Sequence, residues 1–125
     1  MRLLLDTHAA IWLVNDDKRL GDRARDATTD RANTVLLSAA LVWEIAIKRA
    51  LRKLEVPDGY VTSLLEYAFV PLEITLEHAA AVEHLPHHHG DPFDRMLVAQ
   101  ALVEGITLLT ADPVVARYPG PIRCV

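Results

Sequence analysis

The feature that most constrains this chain is a set of short apolar runs, each too brief for a helix and each stopped by a polar residue suited to starting one. Arg2 to Leu5 runs into Asp6-Thr7, Thr34 to Leu37 runs into Ser38, and Ile106 to Leu109 runs into Thr110. Four residues make barely one turn of helix but about 13 Å of strand. Runs this apolar are predicted to be buried strands of a parallel sheet rather than half-exposed ones. Between them lie helix-like stretches. Thr7 to Val14 reads as a short buried helix stopped by Asn15-Asp16-Asp17, and Gly21 to Arg31 as an exposed one. Ser38 is placed to cap a third, on which Ala40, Trp43, Ile47 and Leu51 form an apolar stripe.

The second half continues the alternation. Tyr60 to Tyr67 reads as an amphipathic helix after Pro57-Asp58-Gly59, and Phe69 to Leu72 as a strand whose Pro71 suggests an edge. Thr75 to Leu85 reads as a helix ended by Pro86. Asp91-Pro92-Phe93-Asp94 is the clearest boundary, with Asp91 at the N-cap, Pro92 at the first helical position and Gly105 closing the helix after Glu104. Ile122 to Val125 could add a last strand. Strands alternating with helices predict one α/β domain over residues 1–125, with a mostly parallel sheet covered on both faces. A hydrophobic fraction of 51% with 24% charged residues fits a packed core and excludes a disordered chain. The longest apolar run, Ala9 to Val14, is far short of the ~18 residues that cross a bilayer. The N-terminus lacks the pattern of a secretory signal, and the single cysteine, Cys124, fits a reducing compartment, so a cytoplasmic protein is expected.

Charge is unevenly spread. Residues 1 to 53 carry a net +3 and residues 54 to 125 a net −7. Lys48, Arg49, Arg52 and Lys53 form a basic cluster that reads as a solvated helix end or as a contact for phosphates. In parallel α/β folds, ligands bind beyond the carboxyl ends of the strands. Asp6 follows the first strand, Glu44 lies within two turns of the second strand, Asp94 opens the Asp91-Pro92 helix, and Asp112 follows the strand ending near Thr110. Each has an ordinary alternative: a cap for Asp6, an i,i+4 pair with Lys48 for Glu44, a helix-dipole partner for Asp94, and a turn for Asp112. If the four converge, a low-dielectric cleft would demand a cation or a proton. Magnesium or manganese held by carboxylates, with room for a phosphate oxygen and a water, would suit phosphodiester hydrolysis.

Leu3 to His8, Ser38 with Trp43 to Lys48, His89 to Ala101, and Leu109 to Asp112 together resemble the successive motifs of PIN-domain proteins, most closely the VapC-like toxin ribonucleases of type II toxin-antitoxin systems. The resemblance implies a PIN-like three-layer α/β/α domain with a four- to five-stranded sheet and a Mg²⁺- or Mn²⁺-dependent endoribonuclease activity. It implies Asp6, Glu44, Asp94 and Asp112 as the catalytic acids, with Asp6 and Asp94 nearest the metal and Glu44 and Asp112 acting directly or through water. Thr7, Ser38 and Thr110 would support that pocket, and Arg95 and Lys48 are candidates for contacting the RNA. It also implies a homodimer and a cognate antitoxin that lays a helix in an apolar groove. Removing the four acids leaves 13 acidic against 13 basic residues, a balance that permits an RNA substrate.

Two rivals remain open in the sequence. A phosphotransfer domain with Asp6 as nucleophile is weakened by His8 where a second acid would be expected, and a non-catalytic binding module on the same fold would retain the shape without the cutting. Adjacent side chains diverge on any regular backbone, so His87-His88-His89 reads as a loop and not a zinc site. His8 reads as buried against backbone or lining the pocket, and Trp12 and Trp43 read as core residues with base stacking as the alternative.

Overall fold

The computed structural model describes residues 1–125. Five strands, β1 (Arg2–Leu5), β2 (Thr34–Ser38), β3 (Val70–Leu72), β4 (Thr107–Thr110) and β5 (Ile122–Cys124), form one sheet in the order β3-β2-β1-β4-β5. Every pairing is parallel, with Leu4 opposite Leu36 on one side and Leu108 on the other. The expected mostly parallel sheet is thus wholly parallel, and the Pro71 strand lies at an edge as its missing N–H requires.

Alternation along the central strands builds two cores. Leu3, Leu5, Val35, Leu37 and Leu109 face a layer made by α1 (Thr7–Val14), α2 (Asp22–Thr29), α3 (Ala39–Ala50) and α4 (Tyr60–Glu66). Leu4, Leu36 and Leu108 face α5 (Leu76–Ala81) and α6 (Pro92–Glu104), where Leu97, Val98 and Ala101 are buried. This is the three-layer arrangement expected from the sequence. No helix is long and apolar enough to cross a membrane.

Local signals set most element ends. Asp6, Ser38, Thr75 and Asp91 each accept a backbone N–H at a helix start, and Gly105 ends α6 at φ 66°, a left-handed conformation a side chain would strain. Two expectations are corrected. The helix read over Thr75 to Leu85 is α5 followed by a 3₁₀ turn at Val82–His84. On α3 the buried positions are Ala40, Leu41, Glu44 and Ile45, while Trp43, at 58% exposure, Ile47 and Leu51 face outward. The stripe read from the sequence is a real face of α3, but it is not the one that meets the sheet.

A buried polar network lies between α5 and α6. Ser38 Oγ donates to Gln100 Oε1 (2.6 Å), and Gln100 Nε2 reaches the Glu73 carbonyl (3.3 Å) and His78 Nδ1 (3.4 Å). Thr75 N–H also donates to His78 Nδ1, which leaves the proton on Nε2, 2.8 Å from Glu104 Oε1. Ser38, Gln100 and His78 are fully enclosed, so each depends on the others for its hydrogen bonds.

Candidate active site

The carboxyl edge of the sheet gathers the acids. Asp6, at the end of β1, is 3% exposed and carries three donors: Ala9 N–H on Oδ1 (2.9 Å), and Thr110 Oγ1 (2.6 Å) and Ala111 N–H (2.9 Å) on Oδ2. β4 therefore holds the carboxylate that β1 supplies. The Asp112 N–H donates to Thr110 Oγ1 (3.0 Å), and Asp112 Oδ1 accepts from Val114 N–H (2.8 Å), which fixes the turn after β4.

Glu44 enters from α3 and is also 3% exposed. Thr7 Oγ1 donates to its Oε1 (2.5 Å) and Lys48 Nζ to its Oε2 (2.5 Å). The i,i+4 pair anticipated as a surface feature exists, but its acid is buried. Hydrogen bonding to Glu44, reinforced by Asp91 and Asp94, holds the Lys48 ammonium above its ordinary range.

Asp94, in the first turn of α6, is the least compensated member. Burial, then the charges of Asp91, Glu44, Asp6 and Asp112, push its carboxyl up to about 7. Asp91 from the cap of the same helix and three acids from other segments are thus close enough to repel it, and no hydrogen bond to its carboxylate offsets that repulsion. Asp91 is the helix cap that the sequence indicates, accepting from Phe93 and Asp94 N–H, yet it is also part of this field.

Of the remaining sequence candidates, Thr7 donates to Glu44 and Thr110 to Asp6. Ser38 donates to neither acid: its oxygen caps α3 through Ala40 N–H, and its proton goes to Gln100. Arg95 is not available to a phosphate through its guanidinium. That group is buried and donates to the carbonyls of Pro86 (2.8 Å), Val82 (3.2 Å) and Leu85 (3.4 Å) and to Tyr118 Oη (3.0 Å). His8 is exposed and tilted toward Trp12, which is half-buried beneath Arg19.

Two of the three consecutive histidines, His88 and His89, pack against the same Tyr118 ring. His87 is exposed, His88 packs edge-on to Tyr118, and His89 turns toward the acids, with Nε2 3.7 Å from Asp94 Oδ2. His89 and Tyr118 are the site residues that sequence reasoning missed. The position of His89 two residues before the Asp91 cap was the available signal, and no spacing rule connects either residue to the acids.

The class of protein defined so far is an all-parallel, doubly covered α/β domain with a cluster of acids at the carboxyl edge of its sheet. A family model for the PIN domain matches residues 3–121, and the chain belongs to that family. It is 29% identical to Ribonuclease VapC22 of Mycobacterium tuberculosis (strain ATCC 25618 / H37Rv) over 96% of this chain and 95% of that protein. Its backbone resembles a chain in the crystal structure of VapBC2 from Rickettsia felis bound to a DNA fragment from their promoter. That match has a TM-score of 0.71 at 15% identity and covers 99% of this chain and 98% of the other.

Proposed function

We propose that this protein is a metal-dependent endoribonuclease acting as the toxin of a toxin-antitoxin pair, with Asp6, Glu44, Asp94 and Asp112 as its catalytic acids. The observation that carries the reading is the convergence on Asp94: an oxygen of Asp112 and a nitrogen of His89 lie within 4.8 Å of its carboxylate, and burial with the charges of Asp91, Glu44, Asp6 and Asp112 raises its pKa. Such a cluster is relieved by a divalent cation, and the oxygen-rich donor set fits Mg²⁺ or Mn²⁺. Asp94 and Asp112 have the freest oxygens, Glu44 keeps two lone-pair positions beyond Thr7 and Lys48, and Asp6 keeps one beyond its three donors. When bound, the ion would supply positive charge to a phosphate oxygen and make a water acidic enough to attack.

The chain's own residues do the positioning. Thr110 and Ala111 fix the Asp6 carboxylate, and Thr7 and Lys48 fix Glu44 by donating to its two oxygens. A phosphoryl-enzyme scheme through Asp6 is disfavoured because that carboxylate is buried and engaged by three donors. The ribonuclease name of VapC22 supports the substrate class, and the VapBC2 structure that this backbone resembles supports a partner.

Exposed Trp43 lines an apolar groove of about 380 Å³ between α3, α4 and β3, with Val42, Val61, Leu65 and Leu72. It suits the apolar face of an antitoxin helix. The reading includes a homodimer, which sedimentation of the purified protein checks. The test of activity is RNA cleavage with Mn²⁺, with Mn²⁺ plus excess chelator, and with Asp94→Asn. Products only in the first reaction support the reading. Chelator-resistant cleavage, or none with Mn²⁺, refutes it and in the latter case leaves a binding module.

A further inference from the structure

The loop before α6 carries an imidazole that the four-acid scheme leaves unused. His89 has both ring nitrogens buried, and neither makes a hydrogen bond. A neutral imidazole has one donor and one acceptor, and each is costly to bury unmet. The backbone that carries it is firmly held. Tyr118 Oη donates to the His89 carbonyl (3.3 Å) and accepts from its N–H (3.4 Å), and the Tyr118 ring meets the imidazole edge-on at 5.5 Å. Arg95 donates to the same hydroxyl and to the Pro86 carbonyl, bracing the loop from beneath.

That bracing aims the ring at the acids. Nε2 lies 3.7 Å from Asp94 Oδ2, beyond hydrogen-bonding range. One ligand atom from each of His89, Asp94 and Asp112 falls within 4.8 Å of the others, a span that a single ion with bonds of about 2.0–2.2 Å closes with small movements. We propose that His89 is a nitrogen ligand of the divalent ion held by Asp94 and Asp112, and that it tilts the site toward manganese over magnesium. The inference rests on the metal-dependent reading of the cleft given above. Magnesium demands hard oxygen donors and gives up its waters reluctantly, whereas manganese, equally at home among carboxylates, is a transition ion that also takes an imidazole nitrogen, so the nitrogen adds more affinity for manganese than for magnesium. Tyr118 and Arg95 are positioning residues for this ligand.

The test uses the intact protein. Mn²⁺ and Mg²⁺ are titrated separately by calorimetry into wild type, His89→Gln and Asp94→Asn, and pulsed electron paramagnetic resonance of bound Mn²⁺ reads nitrogen coupling. The expected results are an imidazole-nitrogen signal in wild type that His89→Gln abolishes, an affinity loss of about tenfold for Mn²⁺, and one under about threefold for Mg²⁺. Mn²⁺ bound through the acids without nitrogen coupling, or with coupling that survives in His89→Gln, overturns the proposal and leaves the metal site standing. Absence of any Mn²⁺ binding to wild type overturns that underlying reading as well. Should the variant fail to fold, the wild-type spectrum with and without ¹⁵N-histidine decides alone.

Discussion

Neutralising Asp94 should make the metal-free protein more stable while destroying its activity. The ordinary carboxyl value is 3.8 and the folded value about 7, so the folded state holds this proton more tightly than the unfolded one. Stability is therefore lost as pH rises through that window and the penalty is fully in place above it. At about 1.4 kcal/mol per unit, the shift corresponds to about 4 kcal/mol. The side chain is 20% exposed at the cleft mouth, and solvent screening there reduces the figure to about 1–2 kcal/mol. Removing the charge also forfeits roughly 0.5 kcal/mol of attraction to the start of α6. The net expectation for Asp94→Asn is a gain of about 1 kcal/mol at pH 8 in chelator, or about 4 °C in the melting temperature for a chain of this length. At pH 5 the gain should fall to less than half, because the wild-type carboxyl is then largely protonated in the folded state. Differential scanning calorimetry at the two pH values reads both numbers. A variant less stable than wild type at pH 8, or a gain independent of pH, would refute the idea that acids crowd Asp94.

Three other substitutions separate the parts of the structure. Asp6→Asn should lower RNA cleavage by about 10²–10³-fold with the far-ultraviolet circular dichroism unchanged, because an oriented charge is lost from a buried site; full activity would remove Asp6 from the catalytic set. Thr110→Val deletes the hydroxyl that donates to Asp6 and accepts from the Asp112 N–H, and cleavage should drop about 10–100-fold, a single-turnover rate equal to wild type being the contrary result. Gln100→Leu strands the Ser38 hydroxyl and breaks its link to His78, so urea unfolding should show a loss of about 2–3 kcal/mol. A change under about 0.5 kcal/mol would mean that the network is dispensable.

The strand-helix order was legible because its signals are local. Asp6, Ser38 and Asp91 announce helix starts within three residues, and runs such as Leu3-Leu4-Leu5 leave little choice of environment. Which face of α3 meets the sheet was not legible. Trp43, Ile47 and Leu51 and their neighbours Leu41 and Ile45 both have helical spacing, and only tertiary packing chooses between them. The gathering of the acids could be suspected from their positions after strands. The division of labour among the supporting residues could not, since whether Ser38 turns to a carboxylate or to Gln100, sixty-two positions away, depends on the docking of α6. Arg95 looked available beside Asp94 because adjacency in sequence hides direction, and on a helix the next residue points about 100° away. His89 was obscured by its two histidine neighbours and by its dependence on Tyr118, which is distant in the chain.

Crystals soaked in manganese and measured at the manganese absorption edge test the central claim most directly, that carboxylates from four segments surround one divalent ion. The predicted result is an anomalous peak bounded by Asp94 and Asp112, with Asp6 and Glu44 around it, that disappears in Asp94→Asn. No peak in the cleft at saturating manganese, or peaks only at surface acids such as Asp16, would contradict it.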